Sequence, residues 1–325
     1  MGDRLAATGT GARRAKKKHK VVLGEAYGYC FGVRRAVEIV ERVRRERPGK
    51  LTTLGPIIHN PQVVARLQEM GIDYAARLEE IPEGIAVMSA HGVPPKTIDE
   101  AKARGLDIVD VVCPFVTKVH RAAEKMVEEG YEIVILGDEG HTEVKGVIGS
   151  IEAAGGSCTV ISDPEDAARL GEIRKVGVVC QTTQRVDAFA KLVANLTKRA
   201  YEVRAFNTIC GATEELQSSA VALAKQVDVV LVIGGKNSAN TRRLRSIVEA
   251  EGVPAYHVET AAEIEDEWLD RAETVGVTAG ASTPDFLIDE VLDFLTHGEM
   301  HVPGHRSHYD VEGDVTDRLT AYKVK

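Results

Sequence analysis

Aromatic residues are scarce in this chain: 5% of 325 residues, with a single Trp, against a 44% hydrophobic content that is mostly Val, Ile, Leu and Ala. Long apolar runs are missing as well. None approaches the ~18 residues that a membrane-spanning helix needs, so no membrane partner is expected. The first residues lack the apolar core of a secretory leader, and a cytoplasmic location is the expectation. Paired cysteines are absent too. The five cysteines are odd in number, and no two stand at a C-x₂₋₄-C spacing. Without an export signal this pattern disfavours disulfides and points to metal binding or catalysis. Excess positive charge is missing from the body of the chain. Net charge is −8, but residues 1–20 carry seven Lys/Arg and one Asp, which leaves −14 for the rest. An acidic body argues against nucleic acid as the main ligand. The basic arm itself reads as a solvated, disordered segment.

What is present is a repeat. Cys30, Cys113 and Cys210 each follow a short apolar run (VVLGEAYGYC, DIVDVVC, YEVRAFNTIC) and precede a helical pattern. After Cys30, Val33, Ala36, Val37, Val40 and Val43 recur at helical spacing, and Val119, Ala122, Ala123, Met126 and Val127 do so after Cys113. Cys210 is followed by ATEELQSSAVALAKQ, a run of good helix formers. Each helix leads to a strand and a Gly-marked polar loop: LTTLGPIIHN, EIVILGDEGHTEVKG and DVVLVIGGKNSANTRR. A second helix, a second strand and a second polar loop follow, as IAVMSAHGVPP, VGVVCQTTQ and TVGVTAGASTP, and then a third helix. The third copy lacks a last strand, which Val21–Ala26 is expected to supply from the N-terminus, closing a circle.

Alternating strands and helices imply an α/β fold with parallel sheets and right-handed crossovers. The expected architecture is three similar α/β units in a pseudo-threefold trefoil. Spacings of 83 and 97 residues between the three cysteines fit such a repeat. The expected boundaries are a basic arm at 1–20, units at 21–113, 114–210 and 211–297, and a C-terminal extension at 298–325.

Ligands of open α/β sheets bind beyond the carboxyl ends of the strands, where all three cysteines and the polar loops lie. Three units facing one axis would gather His59, Asn60, His91, His141, Thr142, Glu143, Gln181, Thr182, Thr183, Ser238, Asn240 and Ser282. This set is rich in neutral donors and poor in charge, and it suits a small oxygen-rich ligand. Three thiolates are one fewer than a [4Fe–4S] cluster usually takes. One iron would stay open to a substrate oxygen and act as a Lewis acid. Zinc on three cysteines with His or water is the competing reading, but zinc sites typically show the close cysteine pairs that this chain lacks.

Eight stretches, GYCFGVRRAV, GPIIHN, SAHGVP, VVCPFVTKVH, GHTEVKG, QTTQ, GGKNSAN and TAGASTPD, occur here in the order in which they resemble the 4-hydroxy-3-methylbut-2-enyl diphosphate reductases. The resemblance runs from about Val21 to Leu295. It implies a trefoil around one [4Fe–4S] cluster per chain, held by Cys30, Cys113 and Cys210. It implies reductive dehydroxylation of a small allylic diphosphate to isopentenyl and dimethylallyl diphosphates. The electron donor would be ferredoxin or flavodoxin with its reductase. It also implies that His59, His91, His141, Ser238, Asn240 and Ser282 bind the diphosphate. Glu143 would donate the proton, with Thr182 or Thr183 as its relay. Two departures stand out. Ala239 replaces a Ser common in the family. After Cys210 the family often continues Ala-Thr-x-x-Arg-Gln, whereas this chain has Leu216 in place of the Arg and the two acids Glu214-Glu215 before it, which should disfavour adding electrons nearby.

Several residues have plain structural explanations. Cys158 and Cys180 read as small buried residues, and His120 and His257 as packing residues. Ser282 before Thr283-Pro284 would make an ordinary helix N-cap. His301, His305 and His308 are broken by Pro303-Gly304 and do not form a helical metal motif. Two other functions fit the cysteines alone: a dehydratase-type iron–sulfur lyase such as quinolinate synthase, and a non-enzymatic metal-binding module. The His–Thr–Glu and Ser–Asn loops match the reductases better.

Overall fold

The computed structural model describes residues 19–297. Residues 1–18 of the basic arm and the whole 298–325 extension, with its three histidines, lie outside the described residues. Among the described residues the strands form three four-stranded parallel sheets. Strand β1 (Lys20–Leu23) leads through Cys30 to α1 (Phe31–Glu46), and the first sheet follows: β2 (Leu51–Leu54), α2 (Pro61–Glu69), β3 (Ile72–Ala75), β4 (Ile85–Met88), α3 (Pro95–Ala103) and β5 (Asp107–Asp110). The second has α4 (Pro114–Glu128), β6 (Glu132–Leu136), α5 (Thr142–Ala153), β7 (Cys158–Ile161), β8 (Ile173–Cys180), α6 (Val186–Leu196) and β9 (Ala200–Ala205). The third has α7 (Gly211–Ala224), β10 (Val229–Ile233), α8 (Ala239–Ala250), β11 (Ala255–Val258), α9 (Asp266–Leu269), β12 (Thr274–Ala279) and α10 (Asp285–His297).

The strand orders are β3-β2-β4-β5, β7-β6-β8-β9 and β11-β10-β12-β1. These are one permutation repeated, with β1 in the last place of the third sheet. Lys20 to Leu23 pair in parallel with Thr274 to Val277, so the N-terminal strand does close the third sheet. The pairing ends earlier than Ala26, because the chain must turn away to present Cys30.

The central strands, such as β4 and β10, are buried on both faces, as covered parallel sheets require. In β10, Val229, Leu231 and Ile233 point into one core with Leu287, Ile288 and Val291 of α10. Val230 and Val232 point into another with Leu216, Ala220 and Leu244. Each such burial contributes about 1.5–3 kcal/mol. The helices are one-sided: on α1, Ala36, Val37, Val40 and Val43 are buried while Arg44 and Arg45 close its last turn, where cations suit the carboxyl end. Among the described residues, no helix is long and apolar enough to cross a membrane.

Candidate active site

The three cysteines occupy one structural position. Each is the N-cap residue of a helix, Cys30 of α1, Cys113 of α4 and Cys210 of α7, with an extended backbone. They stand a few residues beyond β1, β5 and β9 rather than at the strand ends. Each backbone amide is anchored alike, to the carbonyl of a loop that follows the third strand of a sheet. Cys113 N donates to Ala90 O, Cys210 N to Thr182 O and Cys30 N to Ala281 O, all at 3.1 Å. The next residues along those loops are His91, Thr183 and Ser282. The contacts that place the cysteines therefore also place the polar side chains.

The three thiols are neighbours. Burial pushes Cys30 up to about 12, and the negative charges that Cys210 and Cys113 would carry add to the rise; the N–H groups of Val33 and Gly32 oppose it. Burial also raises Cys113 and Cys210, against helix-start amides at Cys113 and Thr213 at Cys210. Thiols held neutral by burial, but facing helix N-termini, become good ligands once a metal supplies the counter-charge. Among the described residues, no three His, Cys, Asp or Glu side chains converge tightly enough to hold one metal ion. A tetrahedral zinc would need its sulfurs about 3.8 Å apart, given Zn–S bonds of ~2.3 Å. The donor set fits a larger group with soft ligands, as an iron–sulfur cluster is.

His59, His91 and His141 come together. Ring centroids lie 4.0 Å apart for His59–His91, 5.1 Å for His59–His141 and 5.9 Å for His91–His141. His59 follows β2, His91 follows β4, and His141 is the N-cap of α5, its Nδ1 accepting from Glu143 N at 3.2 Å. Burial lowers His59 and His141 to about 4, with Arg242 adding to it at His59 and His59 adding to it at His141. His91 is pushed well below its usual value, by burial and then by the other two rings. All three are neutral near pH 7. The Nδ1 of His91 and both side-chain polar atoms of Asn240 are buried without a hydrogen-bond partner among the described residues. Leaving such atoms unpaired costs ~1–3 kcal/mol each, which an oxygen-rich ligand would recover.

The third sheet contributes Ser238, the N-cap of α8, and Asn240 two residues on. Ala239 between them is buried at 3% exposure. Ser282 donates through its hydroxyl to His59 O at 3.2 Å. It does not cap α10, which starts at Asp285. Gly235 packs so closely that a Cβ there would stand 2.6 Å from His59 O. The loops of the first and third sheets are in contact across the site.

Glu143 is buried beside these groups at 2% exposure. Its Oε1 accepts from Thr182 N at 2.6 Å and its Oε2 from Thr182 Oγ1 at 2.8 Å. Burial raises its acid to about 7, against the Thr182 hydrogen bonds and the charge of Arg243. Thr183 faces elsewhere: its Oγ1 accepts from Gln181 Nε2 at 3.0 Å and from Arg243 Nη1 at 3.3 Å.

The charge-poor site expected from sequence is bordered by two arginines outside the expected set. Arg243 donates to Asp138 at 2.6 Å, and Arg242 bears on His59 and His141. The available signal was their place in the first turns of α8, just after Ser238 and Asn240. Cys180 is fully buried and hydrogen-bonded with Thr208. His120 bonds Ser150 at 2.8 Å and His257 bonds Gly234 O at 2.8 Å, the packing roles expected of them. Glu214 and Glu215 are exposed on α7, where water and salt screen their charge.

A family profile described as LytB protein matches residues 21–296. A 4-hydroxy-3-methylbut-2-enyl diphosphate reductase of Geobacter metallireducens is 45% identical over 275 residues, covering 84% of this chain and 96% of that protein. The reductase of Aquifex aeolicus is 42% identical, covering 83% and 94%. The solved E-1-hydroxy-2-methyl-but-2-enyl-4-diphosphate reductase from Plasmodium falciparum superposes with a TM-score of 0.81 at 26% identity, covering 86% of this chain and 89% of that one. A second solved structure, an (E)-4-hydroxy-3-methyl-but-2-enyl diphosphate reductase described as the terminal enzyme of the non-mevalonate pathway, is 41% identical with a TM-score of 0.63, covering 85% and 98%.

Proposed function

The chain belongs to the LytB protein family and carries out its reaction, reduction of 4-hydroxy-3-methylbut-2-enyl diphosphate in the terminal step of the non-mevalonate pathway; from that premise we propose how its own residues divide the work. Cys30, Cys113 and Cys210 hold one [4Fe–4S] cluster, which when bound supplies the electrons and an open Lewis-acid position. His59, His91, His141, Ser238, Asn240 and Ser282 hold the diphosphate. The unpartnered atoms of Asn240 and His91 support this assignment, as does the start of α8, since helix N-termini favour phosphate.

Glu143 holds the proton, and the observation that carries this reading is its double hydrogen bond to Thr182 in a buried setting that keeps it half protonated near pH 7. As a carboxylate it accepts the Thr182 hydroxyl. As an acid it can donate to that same oxygen, freeing the threonine hydroxyl to donate toward the departing substrate oxygen. Thr182, rather than Thr183, is therefore the relay in our reading. Isopentenyl and dimethylallyl diphosphates are the products. The donor is a ferredoxin- or flavodoxin-type carrier, and the reaction runs in the cytoplasm, where thiols stay reduced.

The direct test is anaerobic turnover of the hydroxylated allylic diphosphate with dithionite and a viologen, alongside an iron count. Turnover by protein holding about four irons is expected; stoichiometric zinc without iron, or iron-loaded protein without turnover, would sink the reading.

A second expectation concerns protons. The three histidines are neutral in the free protein, and a polyanion beside them should raise their affinity for protons. Calorimetry with inorganic diphosphate at pH 7, in two buffers of different ionisation enthalpy, should show net proton uptake. His91→Asn should reduce that uptake. Equal heats in both buffers would mean that the rings bind phosphate as neutral N–H donors only.

A further inference from the structure

Helix α1 carries Cys30 at its start, but two of its other residues are turned toward a different cysteine. Gly32 is buried and helical, with no unusual φ that calls for glycine. A Cβ placed on it would stand 2.5 Å from Cys113 Sγ and 3.2 Å from Cys113 Cβ. Glycine is therefore used here for space. The same position, two residues after the cysteine, is Phe115 on α4 and Ala212 on α7, so this use of glycine is not general to the three cysteines.

One turn further along α1, Arg35 reaches the loop that delivers Cys113. Its Nη1 donates to Val111 O at 3.4 Å and to Val112 O at 3.3 Å. One charged nitrogen thus spans two successive carbonyls of that loop, and its charge strengthens both long bonds. These bonds place the guanidinium against the residue that directly precedes Cys113. The other cysteine helices do not repeat the device. Five residues after Cys113 comes Lys118, exposed and stacked over the Phe115 ring at 5.1 Å. Five residues after Cys210 comes the exposed Glu215.

We propose that α1 seats and tunes Cys113: Gly32 leaves the room its sulfur needs, and Arg35 is a positioning residue that fixes the Cys113 loop and supplies a fixed positive charge beside this cluster ligand. This rests on the reading that the three cysteines hold an iron–sulfur cluster. A cation near a cluster favours its more negative, reduced form, so Arg35 raises the reduction potential. It offsets the opposite effect expected of Glu214-Glu215, which are solvated while Arg35 is half-buried.

The test uses the full chain, reconstituted anaerobically with ferrous iron and sulfide. Iron per chain, iron release to a chelator and the midpoint potential are measured for wild type, Arg35→Met, Arg35→Lys, Gly32→Ala and Arg121→Met. Arg121 is an exposed cation on α4 and controls for net charge. Arg35→Met should shift the potential downward, Arg35→Lys should restore most of it, and Arg121→Met should leave it in place. Gly32→Ala should release iron several-fold faster. Alanine favours helix over glycine, so that loss cannot come from a weakened α1. The Gly32 result also keeps the proposal testable should Arg35→Met fail to load. A wild-type potential in Arg35→Met, an equal shift in Arg121→Met, or wild-type iron release from Gly32→Ala would overturn the proposal. Wild type that takes up no iron would instead remove the cluster reading beneath it.

Discussion

Glu143→Gln should lower turnover by roughly 10²–10⁴-fold, the range over which a positioned proton donor acts, while the cluster and diphosphate binding are retained. Glutamine keeps the shape of the side chain and an oxygen that can accept from Thr182 N, so the loop geometry survives. It has no proton to give. The same variant should be more stable than wild type above pH 7. Burial raises the folded-state acid to about 7 from the ordinary glutamate value of 4.5. The folded state therefore holds the proton more tightly than the unfolded chain does. Wild-type stability falls as pH rises from about 4.5 through 7, and the loss is complete above that. The linked free energy is of order 3 kcal/mol, reduced by the hydrogen bond that Gln cannot reproduce. Higher melting temperature at pH 8 together with collapsed turnover separates a catalytic role from a structural one. Wild-type turnover should also decline as pH rises through about 7, with Glu143→Gln showing no such limb. Activity close to wild type in the variant removes Glu143 from the mechanism.

Cys113→Ser should abolish turnover altogether, as should Cys30→Ser and Cys210→Ser, with iron content falling in each. A serine oxygen is a hard, weakly acidic donor and a poor substitute for thiolate toward iron. Cys180→Ser and Cys158→Ser should keep their iron. Cys180 is fully buried, and its amide and sulfur are engaged by Thr208 at 2.8 and 3.3 Å; Cys158 lies on the edge strand β7. Iron counts and visible absorbance on the five variants distinguish three ligands from four. Cys180→Ser without its cluster would bring that residue into the ligand set.

Much of this was legible in one dimension. The repeat of cysteine, helix, strand and polar loop depends on local periodicity, and the three parallel sheets it implied are observed, down to the N-terminal strand completing the third sheet. The edge strands β3 and β7 were not legible. Each has four residues and lies at a sheet margin, and Ile72–Ala75 buries only its two ends. Such a segment shows neither the alternation of a half-buried strand nor the continuous apolar run of a central one. Ser282 departs from its expected cap position for a related reason: Ser-Thr-Pro is a good local helix start, but a contact with His59 O, 223 residues away in sequence, takes the hydroxyl instead.

The sequence by itself determined the fold class, the three cysteines and the polar loops, because apolar periodicity, glycine placement and helix starts are properties of neighbouring residues. Tertiary structure alone decided which threonine meets Glu143, how acidic that carboxyl is, and that the histidines stay neutral. It alone turned Gly32 and Arg35 toward Cys113. Each of these depends on desolvation and on charges brought together from distant segments, as Glu143 and Thr182 are across 39 residues. A buried charge is set by everything packed around it, and no spacing along the chain records that environment.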